Sequence, residues 1–404
     1  MRRVISLLLL VCLLITAAGC KKQTPTTADT VPSAESTTVT APADVKPMKQ
    51  LPMVAVSMPI VYEPYTAEDN TLVFSSTYQN MSLITADPEV ADKIIIDYLN
   101  QIEKFTSAAT IQPLQRNAVD AYRQLQNKSD WAPHTTEITY GVTRIDPGIL
   151  SLIGEYIAYT GGAHAEIHNQ TLNYDLLTGN RLSLSDILDS SVNPDYICAL
   201  VLKHLAGYKD LFDNYEALVK DRFKDNVAHE NDWFLTNEGL SFWFSRYEIA
   251  PYSAGSIPVS IPYSELTGIL KDEYFPAERQ QAGGTVQVSP FDEGKLNQYT
   301  QFAELVMKDG EDKILLYSDK GVYDILIKTV DVSNGSMSTP HTVFASYALS
   351  PGDAIMIDSV LEKQNPGLAL FYCSNNSKLY NLIVPDGDYL VTADEFAQYF
   401  ESNP

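Results

Sequence analysis

Two histidines and a glutamate lie within five residues of the stretch "GGAHAEIHNQTLNYD", which spans residues 161–175. Imidazole nitrogens and carboxylate oxygens are zinc ligands, and alternate residues of a strand project to the same side. A strand here would therefore let His164, Glu166 and His168 project together and ligate zinc. Such a site needs a further ligand and a general base, and nothing in the sequence marks them.

The same stretch has a structural interpretation, which we favour. The two glycines before His164 indicate a turn, and "NQTLNYD" is typical of a strand. On this interpretation His164 is a hydrogen-bonding residue after the turn, His168 is solvated, and Ala165 and Ile167 face the core. Zinc is then required only by the alternative, enzymatic hypothesis.

Other catalytic signatures are absent from the sequence. There is no G-x-S-x-G elbow, P-loop, G-x-G-x-x-G or C-x-x-C motif. "HENDW", which begins at His229, lacks the second histidine of a zincin. The sequence therefore favours a protein that is not an enzyme and that uses no cofactor.

An aromatic segment, "GLSFWFSRYEIAPYSAG" (239–255), offers a different kind of site. Alternation along a strand predicts that its leucine and first two phenylalanines are core and that Trp243 projects oppositely. Tyr247, Glu248 and Tyr252 then lie near the strand's end. Aromatic side chains with a polar tip are common in binding hot spots, and a glutamate suits a basic partner. These four residues are our candidates for ligand binding, although packing of the tyrosines in the core is an equally open interpretation.

The surrounding elements mix strands and helices without strict alternation. "MVAVSMPIVY" and "TLVFSSTYQNMSLI" predict strands, whereas Asp87 followed by Pro88 predicts the start of a helix. We therefore predict an α+β fold, with mixed or antiparallel sheets and packed helices in 51–278, followed by a small β-rich C-terminal domain.

The composition divides the chain into six segments. The predicted segments are a lipoprotein signal peptide at 1–19, a lipidated cysteine and disordered tether at 20–50, an α+β domain at 51–158, a second α+β domain at 159–278, a linker at 279–290 and a β-rich domain of unknown role at 291–404.

The first twenty residues predict an extracytoplasmic location. Two arginines precede a short apolar run, and Ala17-Ala18-Gly19-Cys20 resembles the lipobox of bacterial lipoproteins. We expect cleavage before Cys20, lipid attachment to its thiol and anchoring to a bacterial membrane.

The formal net charge of −23 restricts the partners. Nucleic acid is excluded as a partner, whereas cationic proteins would be attracted. The membrane is expected to be contacted through the lipid alone.

Three blocks in order, at 161–188, 235–255 and 259–266, resemble the RsiV-like domain family. Domains of this kind form the ectodomain of a lysozyme-responsive anti-sigma factor and accompany some peptidoglycan deacetylases. The resemblance covers about 51–275 and implies a binding region without the sigma-binding segment or the deacetylase domain of those proteins.

The sequence thus predicts a non-catalytic, membrane-anchored lipoprotein that binds an envelope or host ligand. A cationic lysozyme or a cell-wall glycan is the expected ligand. The alternative is a zinc-dependent cell-wall hydrolase or deacetylase that uses His164 and His168.

Overall fold

The structure is a computed structural model of the chain. It describes residues 46–47, 52–56, 60–224, 232–277, 283–299, 301–306, 313–333, 336–338, 341–358, 367–375, 377–383 and 390–391. The signal peptide, Cys20 and most of the tether predicted from the sequence lie outside these residues. No helix in the described part of the chain has the length and apolar character needed to cross a membrane.

The described strands and helices follow one another along the chain. The strands are β1 (Lys46–Pro47), β2 (Met53–Val56), β3 (Ile60–Thr66), β4 (Leu72–Tyr78), β5 (Met81–Ile84), β6 (His134–Ile145), β7 (Ile149–Tyr159), β8 (Glu166–Asp175), β9 (Trp233–Leu235), β10 (Gly239–Phe244), β11 (Ile257–Pro262), β12 (Val286–Pro290), β13 (Gln301–Val306), β14 (Lys313–Ser318), β15 (Val322–Thr329), β16 (Asp331–Ser333), β17 (Ser336–Ser338), β18 (Thr342–Leu349), β19 (Asp353–Asp358), β20 (Leu368–Ser374), β21 (Ser377–Ile383) and β22 (Leu390–Val391). The helices are α1 (Pro88–Thr106), α2 (Ala108–Gln124), α3 (Leu184–Ile187), α4 (Pro194–Leu205) and α5 (Tyr215–Arg222).

The first layer is a sheet of strand order β3-β4-β6-β7-β8, in which β4 and β6 are parallel and the other neighbours antiparallel. Helix α1 packs on one face of it, where Ile94 and Tyr98 share a core with Leu150, Leu152 and Tyr174. The helix begins as predicted, because the Asp87 carboxylate accepts a hydrogen bond from the Glu89 amide at 2.9 Å.

The second layer contains α4, α5 and a sheet of order β11-β10-β9. Its core includes Trp233, Phe242 and Phe244, each fully buried, and the predicted burial of Leu240, Phe242 and Phe244 is confirmed. Side chains of the first sheet fix β9 in place. The Ser151 hydroxyl accepts a hydrogen bond from the Leu235 amide at 3.0 Å, and the Asn173 amide donates to the Trp233 carbonyl at 2.8 Å.

The C-terminal strands form two further sheets, of order β22-β21-β20-β15-β18-β2-β5 and β1-β13-β19-β14-β12. Their facing sides share a core in which Ile325, Ile327 and Leu370 meet Ile314 and Ile355. Strands β2 and β5 come from the amino-terminal part of the described chain and complete the first of these sheets. The predicted α+β class, with a β-rich C-terminal part, is confirmed.

Two predicted segment boundaries do not follow the strand pairing. Strand β8 pairs with β7, with Leu152 opposite Leu172, so the division between residues 158 and 159 falls within one sheet. Residues Val286–Pro290, which we expected in the linker 279–290, form strand β12 and pair with β14. The boundaries were predicted from local composition. Strand pairing depends on residues that are distant in the sequence, so a local pattern does not show it.

Candidate functional site

Four side chains gather on the surface beside strand β10, and we call them the aromatic patch: His164, Arg246, Tyr247 and Tyr252. The Tyr252 ring lies at the centre. Its centroid is 4.6 Å from that of His164 and 5.4 Å from that of Tyr247. The Arg246 guanidinium carbon lies 4.6 Å from the centroid of Tyr252, which places a cation over the ring.

Tyr252 is positioned by a short 3-10 helix, Tyr252–Ala254, that follows Pro251. The helix ends at Gly255, whose φ of 75° favours glycine. The Tyr252 hydroxyl donates to the Ala165 carbonyl at 3.4 Å. This hydrogen bond and the ring contact with His164 bring the segment before β8 against the segment after β10.

Tyr247 has an unusual backbone conformation and a very exposed side chain. Its φ is 65°, in the left-handed region that aromatic residues rarely adopt, and 64% of the residue is exposed. An exposed ring contributes little to the core, so packing of Tyr247 does not explain the strain. Strain retained at the surface is characteristic of binding and catalytic sites.

Glu248 holds the turn that carries Tyr247. Its carboxylate accepts a hydrogen bond from the Ser245 amide at 2.7 Å and forms an ion pair with Arg222 at 2.8 Å. Burial raises the pKa of Glu248, and the positive charge of Arg222 opposes that rise. We predicted that Glu248 contacts a basic ligand. Its partners in the structure give it a positioning role, because one carboxylate oxygen bonds to the Ser245 amide within the turn and the other bonds to Arg222 of helix α5.

Trp243 lies beside the patch and is only half-buried. Its ring centroid is 6.0 Å from that of Phe234, and its indole nitrogen is buried with no hydrogen-bond partner among the described residues. The expectation that Trp243 projects away from Phe242 and Phe244 holds, but its neighbours limit its accessible surface. Of the four candidate ligand-binding residues, the structure therefore brings Tyr247 and Tyr252 together.

A polar pair on strands β7 and β8 adjoins Arg246. Glu155 lies opposite Asn169 in the strand register, and Asn169 donates to the Ser256 hydroxyl at 3.1 Å. Burial raises the pKa of Glu155, and the charge of Arg246 opposes that effect. The Nε of Arg246 and the side-chain oxygen of Asn169 are buried without hydrogen-bond partners in the described part of the chain. Unsatisfied polar atoms next to an exposed aromatic cluster are consistent with a polar ligand.

The predicted metal ligands do not project together. His164 precedes β8 and lies in a bend after the glycine turn, so it does not have the place in the strand that the metal hypothesis requires. Its ring contacts Tyr252, whereas His168 lies 6.3 Å from Tyr156. Glu166 is exposed, and Ala165 and Ile167 are half-buried rather than in the core. Among the described residues, no three histidine, cysteine or acidic side chains are grouped as metal ligands.

The glycine turn before His164 has a specific packing reason. Gly161 has a φ of 81°, and a Cβ there would lie 2.7 Å from Nε2 of His134. The turn therefore needs glycine both for its backbone and for the close approach of the His134 ring. His164, which follows this turn, thus contacts the Tyr252 ring and is not part of a group of metal ligands.

Two members of the patch were missed by sequence reasoning. From the sequence alone, His164 has a structural role or a role as a metal ligand, not a role in ligand binding, and Arg246 is not singled out. The only local signal is that Arg246 immediately precedes Tyr247 and follows the aromatic strand. The contact between residues 164 and 252 depends on tertiary structure and has no signal in the sequence.

One stretch of the chain matches a known protein family. Residues 185–264 match the family described as "Protein of unknown function (DUF3298)". The match includes Arg246, Tyr247 and Tyr252, whereas His164 lies before it. The specific resemblance to RsiV-like domains and the lipoprotein signal stay predictions.

The chain is also similar to a curated protein, peptidoglycan-N-acetylmuramic acid deacetylase PdaC of Bacillus subtilis (strain 168). The two are 24% identical over 213 residues, which is 51% of this chain and 45% of PdaC. The chain thus spans about half the length of that relative.

Two solved structures resemble the chain. A DUF3298 family member from Bacteroides fragilis is 21% identical with a TM-score of 0.41, over 55% of this chain and 94% of that one. A DUF3298 family protein from Pseudomonas aeruginosa is 19% identical with a TM-score of 0.35, over 56% and 98% respectively.

Proposed function

We propose that the chain is a non-catalytic, extracytoplasmic binding protein whose aromatic patch binds a cell-wall glycan. The observation that carries this proposal is the exposed Tyr247 ring, held at a φ of 65° next to Tyr252. Such strain persists only when surrounding contacts impose it, and here the Glu248 carboxylate closes the turn. The turn keeps an aromatic ring in water, where a ligand can reach it.

Sugar rings suit this surface. A pyranose has an apolar face that packs on an aromatic ring and hydroxyl groups at its rim that accept and donate hydrogen bonds. The rings of Tyr247 and Tyr252 supply the aromatic surface, and their hydroxyls are polar groups at the edge of that surface. Arg246 supplies a guanidinium for the carboxylate of an acidic amino sugar such as N-acetylmuramic acid. The similarity to a deacetylase named for that sugar supports the same ligand class.

Attachment to the cell envelope is the second part of the proposal. Cys20 at the end of the predicted signal would carry lipid and hold the binding domain outside the cytoplasm. Labelling cells with a radioactive or alkyne fatty acid tests this. The label should appear on the wild-type chain and be lost on Cys20→Ala, which should also release the protein from membranes. A Cys20→Ala chain that keeps the label would contradict the anchoring.

Sedimentation with insoluble peptidoglycan tests the binding role. The purified chain should pellet with peptidoglycan, and Tyr247→Ser should raise the peptidoglycan concentration needed for half-maximal pelleting by about tenfold, equivalent to about 1.4 kcal/mol. Tyr196→Ser is a matched control, because Tyr196 is also exposed, at 53%, and lies outside the patch. Equal pelleting of the two variants would contradict the proposed site.

A cationic lysozyme is a second candidate ligand, favoured by the net charge of −23. Opposite charge accelerates association and makes it sensitive to salt. Calorimetric titration with lysozyme at low and moderate salt distinguishes the two ligands. Binding of lysozyme but not of peptidoglycan would favour the protein ligand.

The zinc-hydrolase alternative has less support. His164 and His168 contact different rings, at Tyr252 and Tyr156. The alternative requires stoichiometric zinc after mild purification and its loss on His168→Ala, which elemental analysis measures. Zinc at one equivalent in the wild-type chain would overturn the non-catalytic proposal.

A further inference from the structure

A cavity that is separate from the aromatic patch is a second candidate binding site. A cavity of about 310 Å³ is bounded on one side by β6 and the loop at Asn237 and Glu238. Strands β15, β18, β20 and β21 bound the other side. No residue of the aromatic patch lines it. Its volume is at the lower end of the range for small-molecule sites, so it fits a single small metabolite rather than a polymer.

One wall of the cavity is apolar. Phe371 and Tyr380 are opposite each other in the strand register, and their ring centroids are 4.7 Å apart. Leu326 pairs with Ala345 on one side and with Phe371 on the other, so these side chains share a face. The neighbouring Ile327 and its partners project to the opposite face and form the core with the next sheet. The apolar wall therefore faces the cavity, and Leu326 and Ala345 also pack against the core that the first sheet shares with α1.

Two charged groups lie at the other end. Lys378 and Glu238 form an ion pair across the cavity, joining β21 to the loop before β10. The hydrogen bond to Glu238 raises the pKa of Lys378, with a further contribution from the charge of Asp324. Burial raises the pKa of Glu238, but the interactions with Lys378 and Thr236 outweigh it and the net shift is downward. Both groups are therefore charged at neutral pH.

The backbone at Asp324 is distorted where it lines the cavity. The pairing of β15 with β20 shifts register between Tyr323 and Leu326, and Asp324 has a φ of 49°. Bulges commonly re-aim side chains next to binding sites, and a positive φ is uncommon in residues other than glycine. The distortion puts a carboxylate at the same end of the cavity as Lys378 and Glu238.

We propose that this cavity binds a small zwitterion with an apolar side chain, namely a free amino acid or a dipeptide. The ligand's ammonium group would lie against Glu238, its carboxylate against Lys378, and its side chain against Phe371 and Leu326. This site is independent of the glycan-binding proposal and goes beyond it.

The charge arrangement selects against simpler ligands. When the Lys378–Glu238 pair separates, a ligand with only a carboxylate would leave Glu238 without a counter-charge, and an amine alone would leave Lys378 without one. A zwitterion gives each of these two groups a counter-charge. An uncharged apolar ligand offers no charge to either Lys378 or Glu238, so it could not take the place of their ion pair.

Calorimetric titration with leucine, phenylalanine and alanyl-alanine, each in both enantiomers, tests the proposal. For leucine, 4-methylpentanoate, isopentylamine and N-acetyl-leucine amide are the matched single-charge and uncharged probes. We expect saturable binding of at least one zwitterion and at least tenfold weaker binding of its matched probes. Absence of binding for every zwitterion at concentrations on the order of 10 mM would overturn the proposal.

Two variants locate the site. Lys378→Gln should weaken binding of the zwitterion by at least about tenfold without changing the fold, because 74% of that side chain is exposed. Lys203→Gln is the control, since Lys203 forms a comparable exposed pair with Glu265 at 2.7 Å. Leu326→Trp should fill the cavity and abolish binding. Unchanged affinity in Lys378→Gln would contradict the assignment even if Leu326→Trp fails to fold.

Discussion

At the scale of single residues, Tyr247 and Glu248 have different roles in the same turn. Tyr247 presents an exposed ring from a strained backbone, and Glu248 closes the turn through the Ser245 amide. Sequence reasoning treated both as ligand contacts because both follow the aromatic strand. The hydrogen bonds of Glu248 distinguish the two residues. A carboxylate that is already bonded to Arg222 positions the turn and does not itself contact a ligand.

Replacement of Tyr247 by glycine should separate stability from binding. Glycine adopts a φ of 65° without steric cost, so Tyr247→Gly should leave the free energy of unfolding within about 1 kcal/mol of wild type or raise it. Ligand affinity should fall by about tenfold or more because the ring is lost. Urea unfolding and calorimetry measure the two quantities. A stability loss of several kcal/mol would instead show that the ring packs as a structural residue.

At the scale of elements, Arg222 connects helix α5 to the turn after β10. Its side chain is 5% exposed and pairs with Glu248 at 2.8 Å and with Asp232 at 3.0 Å. It also donates to the Trp243 carbonyl at 2.9 Å. One guanidinium therefore fixes the last turn of the helix, the end of the strand and the segment that carries Tyr247.

Removal of Arg222 should be strongly destabilising. Arg222→Met leaves two partly buried carboxylates without their counter-charge, which we expect to lower the free energy of unfolding by about 3 kcal/mol. Chemical denaturation measures this change. Lys220→Met serves as the control, because the exposed pair of Lys220 with Glu216 contributes less than about 0.5 kcal/mol. Equal effects of the two substitutions would contradict the role assigned to Arg222.

Asp353, at the start of β19, gives a pH-dependent prediction. Burial raises its pKa from 3.8 to about 6, so the folded chain binds this proton more tightly than the unfolded chain. The free energy of unfolding should therefore fall as pH rises from about 4 to about 6 and stay lower above that range. Asp353→Asn should raise stability at pH 7.5 by up to about 3 kcal/mol and have little effect at pH 4. Thermal unfolding at both values checks this; an equal effect at both would contradict it.

Elements with strong local signals were predicted well from the sequence. The start of α1 follows from Asp87 and Pro88, and the buried face of β10 follows from alternation at Leu240, Phe242 and Phe244. The pairing of β8 with β7 was not predicted, nor was β12 within the expected linker. These features depend on partners distant in sequence, and a short polar strand has no periodicity strong enough to reveal them.

The candidate site was predicted in part for the same reason. Tyr247 and Tyr252 are close in sequence, so their proximity could be inferred from the strand that precedes them. His164 joins them only because the Tyr252 hydroxyl bonds to Ala165 across the tertiary structure. The histidine spacing therefore pointed to a metal, whereas the ring contact with Tyr252 points to a surface for a ligand.

At the scale of the whole molecule, a net charge of −23 governs long-range interactions. If lysozyme binds, the attraction should be screened as the Debye length falls from about 10 Å at 0.1 M salt to about 3 Å at 1 M. Lysozyme affinity should therefore fall steeply with salt, whereas glycan binding through ring contacts should change little. Calorimetry at both salt concentrations measures the difference, and a salt-independent lysozyme affinity would contradict the electrostatic explanation.

The most direct test of the central claim is calorimetric titration of soluble peptidoglycan oligosaccharides into the wild-type chain, Tyr252→Ala and Tyr196→Ala. Tyr252 contacts both His164 and Tyr247, whereas Tyr196 is exposed elsewhere on helix α4. We predict saturable binding to the wild-type chain and to Tyr196→Ala, with affinity at least about tenfold lower for folded Tyr252→Ala. Absence of binding to the wild-type chain, or equal affinity for the two variants, would contradict the assignment of the aromatic patch as a glycan-binding site.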